Sequence, residues 1–148
     1  MYSEKLHSET VVDAPISKVF AFLTNPNNMP LVLPGLIENT DIPELPIRQG
    51  SEFRFRYQMF GVVTEGTTVV DRIESPSVYE FTTKGGGVSH WRENLIEENG
   101  RTRVTVDLEY DPPKSWLEKV QLGAIRTLVP REIEQFLQNL RVLLELQS

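Results

Sequence analysis

The sequence predicts an α+β fold, an antiparallel sheet of about six or seven strands curled round one long C-terminal helix. Three observations predict it. Leu122, Ile125, Val129, Ile133, Phe136, Leu140 and Leu143 recur every three or four residues, forming one apolar stripe of a helix. Glu132, Glu134, Gln138 and Arg141 are displaced toward its other side. The segments before it alternate apolar and polar residues, the period of half-buried strands. Asn99-Gly100, between two such segments, is the strongest short signal for a type I′ hairpin turn. Read from Trp116 to Leu146, the helix is expected to be roughly 45 Å long. A stripe of that length needs a large apolar partner, and a curved sheet supplies one.

One domain over residues 1–148 is expected, long enough to bury a core without staples. Hydrophobic residues make up 39% and charged residues 24%, an ordinary globular balance. No apolar run approaches the ~20 residues of a membrane span, so no integral membrane segment is expected. MYSEKLHSET lacks the basic and apolar regions of a signal peptide, which makes the cytoplasm the expected compartment. There is no cysteine, hence no disulfide framework and no thiolate chemistry. The net charge of −6, with basic residues scattered among acidic ones, argues against nucleic acid or anionic lipid surfaces as partners.

Taken in order, Lys5 to Val12 reads as a first strand. In Asp13-Ala14-Pro15, Asp is a good helix N-cap and Pro suits a first turn. Ile16, Val19, Phe20 and Leu23 then follow at helical spacing. Asn25-Pro26 repeats the signal for a second short helical piece, which Pro30 and Pro34-Gly35 end. Leu36 to Asp41 is a short strand. Glu52 to Met59 alternates Phe53, Phe55, Tyr57 and Met59 with Glu52, Arg54, Arg56 and Gln58. A two-residue turn at Phe60-Gly61 would set Arg56 opposite Glu65 and Tyr57 opposite Thr64, an opposite-charge pair that supports the register. The strand through Ile73 turns at Ser75-Pro76-Ser77 into Val78 to Thr83, where simple pairing fails and a bulge is expected.

Counting back from Asn99-Gly100 pairs Leu95 with Val104, Glu93 with Val106, Trp91 with Leu108 and Ser89 with Tyr110 on the core face. The outer face pairs Arg92 with Asp107 and His90 with Glu109, both charge-complementary. Glu93 therefore points into the apolar side. A buried carboxylate without a partner is costly and its pKa rises, which makes Glu93 a candidate acid, base or ligand anchor. Its alternatives are a structural ion pair with a basic side chain, or a carboxylate that reaches solvent at a cavity edge.

Other chemistries lack their residues. Two histidines and no cysteine leave a zinc site without ligands. His90 is expected outside, against Glu109, away from any general-base role. Gly85-Gly86-Gly87 is not followed by Lys-Ser/Thr, so it is no phosphate loop. No Ser stands in a nucleophile elbow. No cofactor and no metal are expected.

VDAPISKVFAFLTNPNNMPLVLPG near the start, GRTRVTVDLEYDPP before the helix and EIEQFLQNLRVLLE near the end carry a family resemblance. In these stretches and in element order the chain resembles the helix-grip fold of the START-like (SRPBCC) superfamily, which includes polyketide cyclase/dehydrase-like, coenzyme Q-binding-like and birch-pollen-allergen-type proteins. The resemblance implies a cavity between sheet and helix for an apolar or amphipathic ligand. Its expected walls are Phe55, Tyr57, Tyr79 and Phe81, then Trp91, Glu93, Leu95, Val106 and Leu108, facing Leu122, Ile125, Val129 and Ile133 on the helix. Tyr57, Tyr79 and Tyr110 are expected first as amphipathic core or edge packing, with hydroxyl donors to a pocket as the alternative. Two departures from the pattern are Pro130, expected to kink or break the helix, and the triple glycine, a free loop suited to a lid.

Three functions follow from fold and faces together. The first is binding or transport of a hydrophobic small molecule of the lipid, isoprenoid/quinone or polyketide kind. The second is a cyclase or dehydratase with Glu93 as general acid or base and Tyr110 steadying an enolate oxygen. The third is a protein-interaction domain with a filled, dry core, as in chaperone activators. Nothing in the sequence specifies an oligomeric state.

Overall fold

The computed structural model describes residues 2–147. Strand β1 (Glu4–Val12) leads into helix α1 (Ile16–Leu23), a single 3-10 turn (Met29–Leu31) and strand β2 (Leu36–Thr40). Strands β3 (Glu52–Met59), β4 (Val62–Glu74), β5 (Val78–Lys84), β6 (Val88–Glu98) and β7 (Arg101–Tyr110) follow, then α2 (Lys114–Leu117) and α3 (Leu122–Leu146). The seven strands form one antiparallel sheet in the order β1-β7-β6-β5-β4-β3-β2, curved around α3, as a helix grip requires.

The hydrophobic pattern accounts for the helices. Val19, Phe20 and Leu23 are the buried face of α1. Ile125, Val129, Ile133, Phe136, Leu137, Leu140 and Leu144 are the buried stripe of α3. Phe136, Leu140 and Leu144 are 0% exposed, so the stripe is the spine of the core.

Local chemistry accounts for the turns. Asn99 (φ 54°) and Gly100 (φ 82°) take the left-handed conformations that a type I′ turn demands. Every expected β6–β7 pair is present, from Ser89–Tyr110 to Leu95–Val104. Phe60-Gly61 closes β3–β4, and Arg56 Nε lies 3.1 Å from Glu65 Oε1 in the expected register. The register between β4 and β5 shifts between Val70 and Arg72, the expected bulge.

Several expectations are corrected. Asp13 does not cap α1: Pro15 holds the N-cap position with no side-chain bond, and Asp13 lies 4.0 Å from Arg101 instead. The second helical piece shrinks to the one 3-10 turn, because three prolines in nine residues deny it donors. The outer-face partners are exchanged across strands. His90 sits near Asp71 (3.5 Å) and Glu80 (3.6 Å), and Arg92 near Glu80 (3.6 Å). Glu109 goes to Lys5 and Asp107 to His7, since β1 covers that edge of β7. Trp116 belongs to α2, so α3 has 25 residues and is about 38 Å long. Pro130 does not break α3, whose helical assignment runs through it. The turn it disrupts, Arg126 to Leu128, faces outward, where water can take the released carbonyl.

Candidate functional site: a cavity between sheet and helix

The sheet's curvature keeps α3 from filling the inner face, and a cavity of about 150 Å³ remains between them. Phe55, Tyr57, Tyr79, Phe81, Trp91 and Leu108 line it from the sheet, and Val129 and Ile133 from α3. Phe81 and Trp91 stack with centroids 5.5 Å apart, and Tyr79 lies 4.9 Å from Phe81. Cross-strand neighbours on one face thus merge into a continuous aromatic wall. Asn39, Gly85, Gly87 and Asp111 on the lining are partly exposed, so the space is not sealed.

Other expected wall residues lie off the lining. Val106 sits directly opposite Glu93, and Leu95 lies two residues further toward the Asn99-Gly100 turn. Leu122 and Ile125 belong to the first turns of α3. There Arg126 Nε meets Glu4 Oε1 at 2.8 Å and ties the helix to β1, away from the cavity. Tyr110 is also off the lining; burial first, then the nearby Glu4 carboxylate, push its hydroxyl up to about 12.

Glu93 is 0% exposed, and neither of its carboxyl oxygens has a hydrogen-bond partner among the described residues. Burial pushes its pKa up to about 8, so it is a neutral acid at pH 7. It is not on the lining, but its cross-strand neighbour Tyr79 is.

The polar feature that does border the cavity escaped the sequence analysis. Glu132 Oε2 accepts hydrogen bonds from the Tyr57 hydroxyl (2.7 Å) and the Gly35 amide (2.7 Å), and all but Gly35 line the cavity. Burial first, then the Glu132 carboxylate, raise the pKa of Tyr57. Gly35 permits the arrangement because a Cβ there would lie 2.7 Å from Tyr57 Cζ and 2.8 Å from Glu132 Oε2. A signal existed: Glu132 is three residues past Val129 and four before Phe136, the flank of the apolar stripe. Trp116 and Phe53 also line the cavity unforeseen, the ring of Trp116 lying 6.4 Å from that of Tyr57.

The triple glycine is not free. A Cβ at Gly85 would meet Glu65 O at 2.5 Å, and one at Gly87 would meet Asp111 O at 2.6 Å. These glycines let β4 and the β7–α2 connection approach closely, making a packed wall in place of the expected lid. Among the described residues no cluster of three or more His, Asp or Glu side chains is placed to hold a metal. Among the same residues, no helix is long and apolar enough to cross a membrane.

Comparison with known proteins agrees with this geometry. No match is found among curated protein sequences. The fold is similar to that of a START superfamily protein from Mycobacterium smegmatis, with a TM-score of 0.76 and 14% identity over 97% of this chain and 99% of that one. It is similar to a Bacillus halodurans protein solved in solution, with a TM-score of 0.74 and 20% identity over 98% of this chain and 100% of that one. It is similar to a Thermus thermophilus protein, with a TM-score of 0.73 and 17% identity over 98% and 99% of the two chains. At these identities the likeness is one of fold. The family model described as polyketide cyclase/dehydrase and lipid transport matches residues 3–145, and the chain therefore belongs to that family.

Proposed function

We propose that this protein binds a hydrophobic small molecule, of the lipid, isoprenoid/quinone or polyketide kind, between the sheet and α3. The carrying observation is a cavity walled by aromatic rings from the sheet and aliphatic side chains from α3, with no Lys, Arg or His on its lining among the described residues. Phe55, Tyr57, Tyr79, Phe81, Trp91, Leu108, Val129 and Ile133 are the proposed contacts. A dry cavity of about 150 Å³ takes up a benzene-sized ring in an engineered protein. The enclosed part here therefore holds one ring or a short branched segment, and a longer ligand extends past the partly exposed Asn39 and Asp111.

This choice sets two others aside. Proton transfer by Glu93 or Tyr110 requires contact with the substrate, and both lie off the lining. An interaction domain with a filled core has no use for an unfilled cavity. Family membership supports an apolar ligand in general terms.

Both tryptophans of the chain, Trp91 and Trp116, are on the lining, so occupancy must change their emission. Titration with 4-propyltoluene, naphthalene and a short-chain benzoquinone is expected to give a saturable one-to-one change for at least one of them. A linear, unsaturable response to all three, up to their solubility limits, would remove the proposal.

A further inference from the structure

We infer that Glu132 is a recognition carboxylate that accepts a hydrogen bond from a hydroxyl group on an otherwise apolar ligand. The inference rests on the apolar-ligand proposal and specifies the ligand's polar group. The cavity's donors and acceptors are unequally committed. Tyr57 gives its proton to Glu132 Oε2 at 2.7 Å, Asn39 Nδ2 donates to Pro26 O at 2.8 Å, and Trp91 Nε1 donates to Ser89 Oγ at 2.9 Å. Ser89 and Thr83 hydroxyls bond each other. These lining donors are engaged inside the protein, except for one proton of the Ser89–Thr83 pair, and the Thr68 hydroxyl on the lining is uncommitted among the described residues. Thr64 Oγ1 and Trp116 Nε1 have no partner among the described residues, but both atoms are shut away from free space and cannot reach a ligand without side-chain movement.

The acceptors are not all engaged. Glu132 takes both of its hydrogen bonds on Oε2, leaving Oε1 without a hydrogen bond among the described residues. Asp111 also lines the cavity and, among the described residues, takes only the Ser3 amide, on Oδ1. Ionised carboxylates accept about twice as strongly as neutral oxygens. With two carboxylates and no basic side chain on the lining, an acidic ligand meets repulsion and no counter-charge. An ammonium group would lose its hydration in a mostly aromatic enclosure. A phenol or alcohol satisfies the free acceptor at the smallest desolvation cost. The anchoring is built into the backbone, because Gly35 both donates to Glu132 and leaves room for it.

The test uses three ligands of one shape: 4-propylphenol, 4-propyltoluene and 4-propylbenzoate, titrated by calorimetry into wild type, Glu132→Gln and Tyr57→Phe proteins at pH 7. In wild type the phenol is expected to bind about tenfold more tightly than the toluene, although the toluene is more hydrophobic, and the benzoate not measurably. Glu132→Gln is expected to bring phenol and toluene within about twofold and to admit the benzoate. A merely structural role for Glu132 would leave this selectivity unmoved. Tyr57→Phe, which removes one of the two donors to Oε2 and keeps the carboxylate, is expected to keep the preference for the phenol. Toluene binding as tightly as phenol in wild type, benzoate matching phenol, or loss of the preference in Tyr57→Phe would each overturn the inference while leaving the apolar-ligand proposal standing. Binding of none of the three would overturn both.

Discussion

Replacing Glu93 by leucine is expected to stabilise the protein, and far more at pH 8 than at pH 4. The carboxyl is fully buried with no partner for either oxygen among the described residues. Burying such a group uncharged costs on the order of 1–3 kcal/mol, and leucine removes that cost at any pH. The pH-dependent part comes from the folded-state pKa of about 8 against an ordinary 4.5. Below pH 4.5 the group is protonated in both states and contributes no slope. Between pH 4.5 and 8 the unfolded chain releases its proton while the folded chain keeps it, so wild-type stability falls by about 1.4 kcal/mol per pH unit. Across the window that amounts to roughly 4–5 kcal/mol, and above pH 8 the slope vanishes. Urea unfolding of wild type, Glu93→Leu and Glu93→Gln between pH 4 and 9 checks it. The difference between wild type and either variant should widen through that window. A difference that stays flat with pH would mean that the Glu93 carboxylate has an ionic partner in the folded protein.

Filling the cavity should abolish ligand binding. Val129 is 5% exposed and borders the cavity from the middle of α3, so Val129→Trp directs an indole into about 150 Å³ of free space. A more than hundredfold loss of affinity for any bound apolar probe is expected, with a folding cost of about 1–3 kcal/mol from overpacking. Ile133→Phe fills the same space from the next turn with less strain and should act in the same direction. Calorimetric titration of both variants with 4-propylphenol provides the measurement. Unchanged affinity in both would put the bound ligand somewhere other than this cavity.

Much of the fold was legible because local and cross-strand chemistry agreed. Asn99-Gly100 set a register that the Trp91–Leu108 and Leu95–Val104 pairs share, and the register alone turned Glu93 inward. The Arg56–Glu65 pair did the same for β3 and β4. The charged partners on the outer face were less legible. Register fixes which Cα atoms oppose each other, but long side chains choose between both neighbouring strands, as Glu80 does with Arg72 on β4 and His90 and Arg92 on β6.

The site was half legible. Alternation placed Phe55 and Tyr57 on the inward face of β3, the Asn99-Gly100 register placed Trp91 on that of β6, and the resemblance added Tyr79 and Phe81. Which of them border free space depends on where α1 and α3 stop covering the sheet, a tertiary quantity with no local signature. Leu95 and Ile125 show this, being core residues indistinguishable in pattern from Trp91 and Val129. Glu132 was missed because a charged residue beside an apolar stripe ordinarily faces water, and its partners, Gly35 and Tyr57, are 97 and 75 residues away. The glycines were misjudged for a related reason. Close backbone approach at Gly85 and Gly87 and conformational freedom have the same sequence signature.

Native mass spectrometry of the protein purified from its own host tests the central claim most directly. Wild type is expected to carry a single copy of an apolar molecule bearing a hydroxyl group, released on denaturation and absent from Val129→Trp. Wild type that flies free of any such molecule, and that takes up none from a panel of lipids, quinones and phenols, would contradict it.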